Sequence, residues 1–152
     1  MSKFYITTPL YYVNDEPHIG HAYTTILADV ISRIKKIQKN DVYFLTGTDE
    51  HGQKVQEAAE KRKVSPKDHV DEYVQRFKNT WKKLNIDYDY FIRTTDENHT
   101  NKVKEILSNL YKKGDIYFDE YKGLYSVSEE RFKTEKEKEE GNFRQIKKIK
   151  EK

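Results

Sequence analysis

Two histidines stand three residues apart in the run Pro17-His18-Ile19-Gly20-His21, where a short apolar strand gives way to a long amphipathic helix. A strand that feeds a helix N-terminus leaves backbone N–H groups and the positive end of the helix dipole pointing outward, which favours an anion. With two imidazoles adding side-chain donors, the run reads as a site for a nucleoside triphosphate. Such donors stabilise charge developing on the α-phosphate and the leaving pyrophosphate, and removing one costs about 2.7–4 kcal/mol of transition-state stabilisation. Gly20, without a side chain, lets the backbone approach the base or ribose closely. The competing reading is that both histidines are helix caps or surface groups.

A second element, Gly47-Thr48-Asp49-Glu50-His51-Gly52, follows the next apolar strand. Ligands of open α/β sheets bind at the carboxyl ends of the strands, so the two motifs are expected to open onto one crevice. Asp49 can accept from an ammonium group, which suits a free amino acid as second substrate. The competing reading is a tight Gly-Thr-Asp turn that caps the next helix, and the two can hold together.

The elements that must carry these groups follow from periodicity. Residues 4–8 are β-prone, and 9–17 read as a loop punctuated by two prolines. From 18 to about 39, Ile26, Val30, Ile34 and Ile37 recur at helical spacing, widened by Leu27 and Ile31, and this face is expected to be buried. Residues 42–45 form a second strand, which makes a βαβ unit with parallel, adjacent strands. Ser65 caps and Pro66 opens a helix to about Leu84, with Trp81 in the core beside Phe77 and Leu84, and His69 on the surface. Residues 90–93 form a strand. Thr94-x-x-Glu97 then resembles a capping box for a helix carrying Val103, Ile106, Leu107 and Leu110, ended by Gly114. Residues 116–118 and 124–127 read as a hairpin around Lys122-Gly123. Beyond Phe132 the chain is nearly all Lys and Glu, with Gly141-Asn142 in the middle, and composition favours a mobile, solvated tail over a segment that orders on a partner.

At 152 residues the chain has room for one domain or a piece of a larger one. Charged residues make up 36% and apolar ones 35%, so the core must lean on its aromatics. A net charge of +3 leaves any contact with RNA to a local patch. Cysteine is absent, which removes disulfides and thiolate metal sites. No signal-peptide stretch and nothing of membrane-spanning length occurs, so a cytoplasmic protein without a membrane partner is expected.

In order, Tyr5-Ile6-Thr7-Thr8-Pro9-Leu10-Tyr11-Tyr12-Val13-Asn14, the His18 to His21 motif and Leu45-Thr46-Gly47-Thr48-Asp49-Glu50-His51-Gly52 closely resemble the methionyl-tRNA synthetases, class I enzymes of bacterial type. Phe91-Ile92-Arg93-Thr94-Thr95-Asp96 with His99, and Tyr121-Lys122-Gly123-Leu124-Tyr125-Ser126-Val127, extend the match. The resemblance implies an α/β fold: residues 1–115 as the first half of a Rossmann-like nucleotide-binding domain, and 116–152 as part of its connecting insertion. It implies condensation of methionine with Mg2+·ATP to methionyl-adenylate, then transfer to the acceptor end of tRNA(Met). By the same resemblance, His18 and His21 bind ATP phosphates and act in catalysis, and Gly20 lies against the nucleoside. Leu10 and Tyr12 line the methionine pocket, and Asp49 accepts its amino group. Asn14, His51 and Gly52 are supporting residues. Tyr11 packs in the core, and Arg93, Asp96 and His99 join the insertion to the nucleotide fold.

Two departures matter. Relatives with a zinc knuckle carry cysteines where this chain has Ser126 and Glu129, and these two cannot replace a tetrahedral set, so no zinc is expected. The insertion is expected to be held by packing through Tyr121, Tyr125 and Phe132. The family's lysine-rich Lys-Met-Ser-Lys-Ser loop is also missing. The chain therefore reads as an N-terminal portion, inactive without the remainder of the polypeptide and prone to self-association through an uncovered sheet edge and face. Two other readings stay open: another H-x-G-H nucleotidyltransferase, and a non-catalytic remnant that binds nucleotide or tRNA, the latter helped by the basic run Lys147-Lys148-x-Lys150.

Overall fold

A computed structural model describes residues 1–126, 129, 131–134, 136–137 and 146–151. In chain order the elements are β1 (Lys3–Thr7), β2 (Tyr11–Tyr12), α1 (Ile19–Ile37), β3 (Asp41–Asp49), α2 (Gln53–Arg62), α3 (Pro66–Lys83), β4 (Tyr90–Arg93), α4 (Glu97–Lys113), β5 (Tyr121–Ser126), β6 (Arg131–Lys133) and β7 (Ile146–Glu151). They divide into two compact units, Met1–Val103 and Lys104–Lys152.

The first unit is built on β3, whose alternating side chains meet two environments. On one side β3 pairs in parallel with β1, Tyr5 opposite Tyr43, and further along with β2, Tyr11 opposite Thr48 and Tyr12 opposite Asp49. On the other side it pairs in parallel with β4, Thr46 opposite Phe91. The expected βαβ unit is present as β1, α1 and β3. The stretch 46–49, expected as loop, instead continues the strand, and the expected loop 9–17 contains β2.

Phe44, Thr46, Thr48, Tyr11 and Phe91 are buried on the face of the sheet that carries the core, with Val70, Val74, Phe77 and Trp81 of α3. Burying each large apolar side chain contributes roughly 1.5–3 kcal/mol, so α3 supplies much of the driving force for this unit. Its start is as expected: Ser65 accepts from the Asp68 N–H at 3.1 Å, and Pro66 fills the first turn. Trp81 and Phe77 are fully buried, but Leu84 is exposed at the helix C-cap. The opposite face of the sheet is open. There Tyr5 and Tyr43 stack at 6.0 Å while 60% and 48% exposed.

α1 corrects one expectation. Its buried residues are Thr25, Ala28, Asp29 and Ser32, whereas Ile26, Leu27, Val30, Ile34 and Ile37 are exposed. Small and polar side chains let the helix sit close to its neighbours and hydrogen-bond to them: Thr25 Oγ1 lies 2.8 Å from Tyr11 Oη, and Asp29 Oδ1 accepts from the Asp87 N–H at 2.9 Å. Periodicity correctly marked an apolar face; this unit does not cover it.

α4 begins at Glu97, and Thr94 is not its cap. The Thr94 hydroxyl is spent across the sheet, accepting from the Glu50 N–H at 2.9 Å.

In the second unit β5 pairs antiparallel with β6 and with β7. The hairpin expected from 116–118 does not form: 116–118 lie outside any strand, and Lys122-Gly123 sits inside β5, with Gly123 opposite Ile149. Part of the stretch expected as a mobile tail is strand, since 146–151 form β7. Main-chain bonds to β5 need no apolar pattern, which is why composition hid this strand. Tyr125 and Phe132 meet edge to face at 5.3 Å, as the packing expectation required. Val127, Gly141, Asn142 and the side chains of Tyr121, Lys147, Lys148 and Lys150 lie outside the described residues.

Candidate functional site

The histidine pair starts α1 by a reciprocal cap. His18, in extended backbone, is the N-cap, and its Nδ1 accepts from the Gly20 N–H at 3.1 Å. His21 returns the contact, its Nδ1 accepting from the His18 N–H at 3.2 Å. Each Nδ1 must be unprotonated to accept, so each ring carries its proton on Nε2, the atom the cap leaves over. The rings stack at 3.8 Å with 23° between planes. His18 is exposed and His21 half-buried. Burial first, and the neighbouring His18 second, hold the His21 pKa below the usual imidazole value of 6.5. Capping and anion binding are thus compatible: the cap fixes the tautomer that presents two neutral N–H donors. Gly20 has a task the sequence did not show, because a Cβ there would meet His18 Cε1 at 2.9 Å and Nδ1 at 3.1 Å. Its bareness makes room for the capping ring.

The amino-acid candidates gather along β2 and β3. Tyr11 is buried, as expected, and its ring touches His21 at 4.8 Å and Phe77 at 5.9 Å. Tyr12, the next residue, is exposed, with Asp49 as its register partner. Leu10, just before β2, is also exposed. Tyr11, against His21, and Tyr12, in register with Asp49, are thus consecutive residues of one two-residue strand at the carboxyl edge of the sheet. Asp49 Oδ1 accepts from the His51 N–H at 3.4 Å and the Thr94 hydroxyl at 3.5 Å, and no hydrogen bond reaches Oδ2 among the described residues. Asn14 is exposed, in a cleft shared with Lys54, Arg62, His69 and Tyr73. His51 is exposed, with Nε2 3.3 Å from the Thr94 carbonyl. Gly52 is the N-cap of α2 at φ 107°, a conformation that favours glycine.

Gly47 is where β4 comes closest. A Cβ there would lie 2.0 Å from the Ile92 carbonyl oxygen. Only glycine permits this approach, which brings residues 93–95 up to the end of β3.

Three features escaped the sequence reading. Glu50 is buried and receives Arg93 through both arms of the guanidinium, at 2.7 and 2.9 Å, together with the hydroxyls of Thr48 and Thr95. Arg93 also donates to Asp71 at 2.6 Å, so it ties β4 to β3 and α3 within the first unit. These bonds, above all those to Glu50, hold Arg93 ionised well beyond the ordinary guanidinium range. Glu50, Asp71, Arg93 and Thr95 line a cavity of about 510 Å³ with Lys67, Asp96 and Glu97. Asp96 accepts from the Arg93 N–H at 3.2 Å, and His99 is half-buried on α4.

His69 is the third, and a correction. It is fully buried, its Nε2 donating to the Val13 carbonyl at 2.7 Å and its Nδ1 accepting from Arg62 at 3.0 Å. It holds the loop between β2 and α1 against α3. The signal was present: 69, 73, 77 and 81 are spaced by four and form one face of α3.

Ser126 is buried, and the Glu129 carboxylate takes donors from Arg131 and Lys133. Among the described residues no group of three or more potential ligands gathers for a metal, and no helix is long and apolar enough to cross a membrane.

The profile of the tRNA synthetases class I (M) matches residues 4–143. The chain is 56% identical over 135 residues to the methionine–tRNA ligase of Thermotoga maritima and 52% identical over 139 residues to that of Clostridium perfringens, covering 89% and 91% of this chain and 22% of each relative. The structure superimposes on Mycobacterium tuberculosis methionyl-tRNA synthetase in complex with methionyl-adenylate with a TM-score of 0.89 and 40% identity, over 99% of this chain and 31% of that one. The chain thus spans about a fifth of the length of these curated relatives. Its parallel sheet and helices have the Rossmann-like catalytic fold of those enzymes, and the chain belongs to the class I tRNA synthetase (M) family.

Proposed function

We propose that this chain is the portion of a methionine–tRNA ligase that receives ATP and methionine. His18 and His21 direct their Nε2–H donors at the phosphates of Mg2+·ATP, and Gly20 keeps that turn close to the nucleoside. Leu10 and Tyr12 line the thioether pocket, while Asp49 accepts the amino group through its free Oδ2. Asn14, His51 and Gly52 support the loops around them. Attack of the methionine carboxylate on the α-phosphate forms methionyl-adenylate and releases pyrophosphate; the methionyl group then passes to the acceptor end of tRNA(Met) in the cytoplasm. Residues 116–152 belong to the connecting insertion, folded without zinc.

The observation that carries this reading is the reciprocal histidine cap, which leaves the two Nε2 atoms over as donors at a helix N-terminus. These 152 residues contain no Lys-Met-Ser-Lys-Ser loop to neutralise the phosphates, so this reading assigns that step to the further length that the relatives have. The test is ATP–pyrophosphate exchange by an extended polypeptide, this chain joined to the remaining length of the Thermotoga maritima relative. Methionine-dependent exchange is expected; exchange with another amino acid, or none, refutes the reading.

A further inference from the structure

We propose that Thr94 is a positioning residue for the amino-acid carboxylate Asp49, held in place by the buried Glu50–Arg93 pair. The inference rests on the reading of Asp49 as the acceptor of the methionine amino group.

The Thr94 hydroxyl is a relay. It accepts from the Glu50 N–H at 2.9 Å, so its own proton is free to point at Asp49 Oδ1, 3.5 Å away. The Thr94 N–H donates to the Thr48 carbonyl at 3.2 Å, and the Thr94 carbonyl lies 3.3 Å from His51 Nε2. One residue thus touches Thr48, Asp49, Glu50 and His51, the whole turn that presents the carboxylate. Thr94 is itself buried, and its neighbours are pinned. Arg93 grips Glu50 by two bonds at 2.7 and 2.9 Å, and the Thr95 hydroxyl donates to the same carboxylate.

The pair has an electrostatic consequence as well. Arg93 is the cation closest in the ladder to this turn, since it pairs with Thr48, the residue before Asp49. With its guanidinium held by Glu50 and Asp71, it does not compete with a ligand ammonium for Asp49. Glu50 absorbs the arginine, and Thr94 fixes one oxygen of Asp49 while the other stays open. A carboxylate held this way is oriented before the ligand arrives, which lowers the ordering cost of binding.

The test uses the extended polypeptide and three variants, Thr94→Val, Thr94→Ser and Thr94→Ala. In Thr94→Val the KM for methionine should rise about five- to tenfold, as expected for losing one long hydrogen bond of ordinary net strength, with the KM for ATP unchanged within about twofold. Thr94→Ser should restore the methionine KM. Two competitive ligands separate positioning from a general loosening of the fold: methioninol, which keeps the ammonium, and 4-(methylthio)butanoate, which lacks it. Thr94→Val should weaken only the first. Thr94→Ala is measured with the same ligands, so that a poorly folded valine variant does not decide the outcome. An unchanged methionine KM, or equal weakening of both ligands, in an active wild-type background overturns this inference alone. A wild-type extended polypeptide without methionine-dependent exchange overturns the functional reading and this inference with it.

Discussion

Replacing His18 by asparagine separates the two tasks of that ring. As N-cap, His18 satisfies the Gly20 N–H through Nδ1. Asparagine is among the best N-cap residues and can accept the same N–H, so His18→Asn should leave stability within about 0.5 kcal/mol. His18→Ala removes the acceptor and should cost about 1 kcal/mol more. Neither variant keeps a donor in the place of Nε2. Loss of one such donor to a developing phosphate charge is worth about 2.7–4 kcal/mol, so methionine-dependent exchange by the extended polypeptide should fall about 100- to 1000-fold in both. Thermal unfolding followed by far-UV circular dichroism, together with the exchange rate, reads the two effects side by side. Activity of His18→Asn within about threefold of wild type would refute the donor role. An asparagine variant that melts as early as the alanine one would refute the cap.

Further outcomes follow from the same geometry. Gly47→Ala places a methyl 2.0 Å from the Ile92 carbonyl and forces β3 and β4 apart; it should cost about 3 kcal/mol or more and lower the melting temperature by about 6–12 °C. His69→Leu keeps the bulk but orphans the Val13 carbonyl and the Arg62 donor, for a loss of about 1–3 kcal/mol in urea unfolding. The His21 pKa is lower in the folded chain than in the unfolded one, so the unfolded chain takes up the proton first as pH falls. The stabilisation this supplies is complete above about pH 6.5 and is lost on acidification through the folded pKa, as a pH series of melting curves checks. His21→Gln should flatten that series in the same interval.

The fold was readable where local chemistry and tertiary demand agree. Ser65-Pro66 states a helix start in a few atoms, and the β1, α1, β3 unit follows from two apolar strands around one helical repeat. α1 shows the limit. Its isoleucines define a face, but which face a helix buries depends on its neighbours, and Thr25 and Asp29 had partners at Tyr11 and Asp87 that no local pattern announces. Glu50 and Arg93 were hidden for the same reason: 43 residues separate them, and only the parallel register of β3 and β4 brings them together. The candidate site was visible as motifs, and its wiring through Thr94 was not. His69 is legible in the sequence, since its spacing to Tyr73, Phe77 and Trp81 puts it on the buried face of α3.

The two-residue strand β2 sets a limit on length. Residues 9–17 have the prolines and polar residues of a segment in which insertions and deletions are ordinarily harmless. Here one residue added or removed before Tyr11 would exchange the faces of Tyr11 and Tyr12, taking the ring from beneath His21 and pushing it toward Asp49. Spacing in this stretch is therefore as much a part of the machinery as the side chains are, and relatives that preserve the chemistry should vary here in composition before they vary in number of residues.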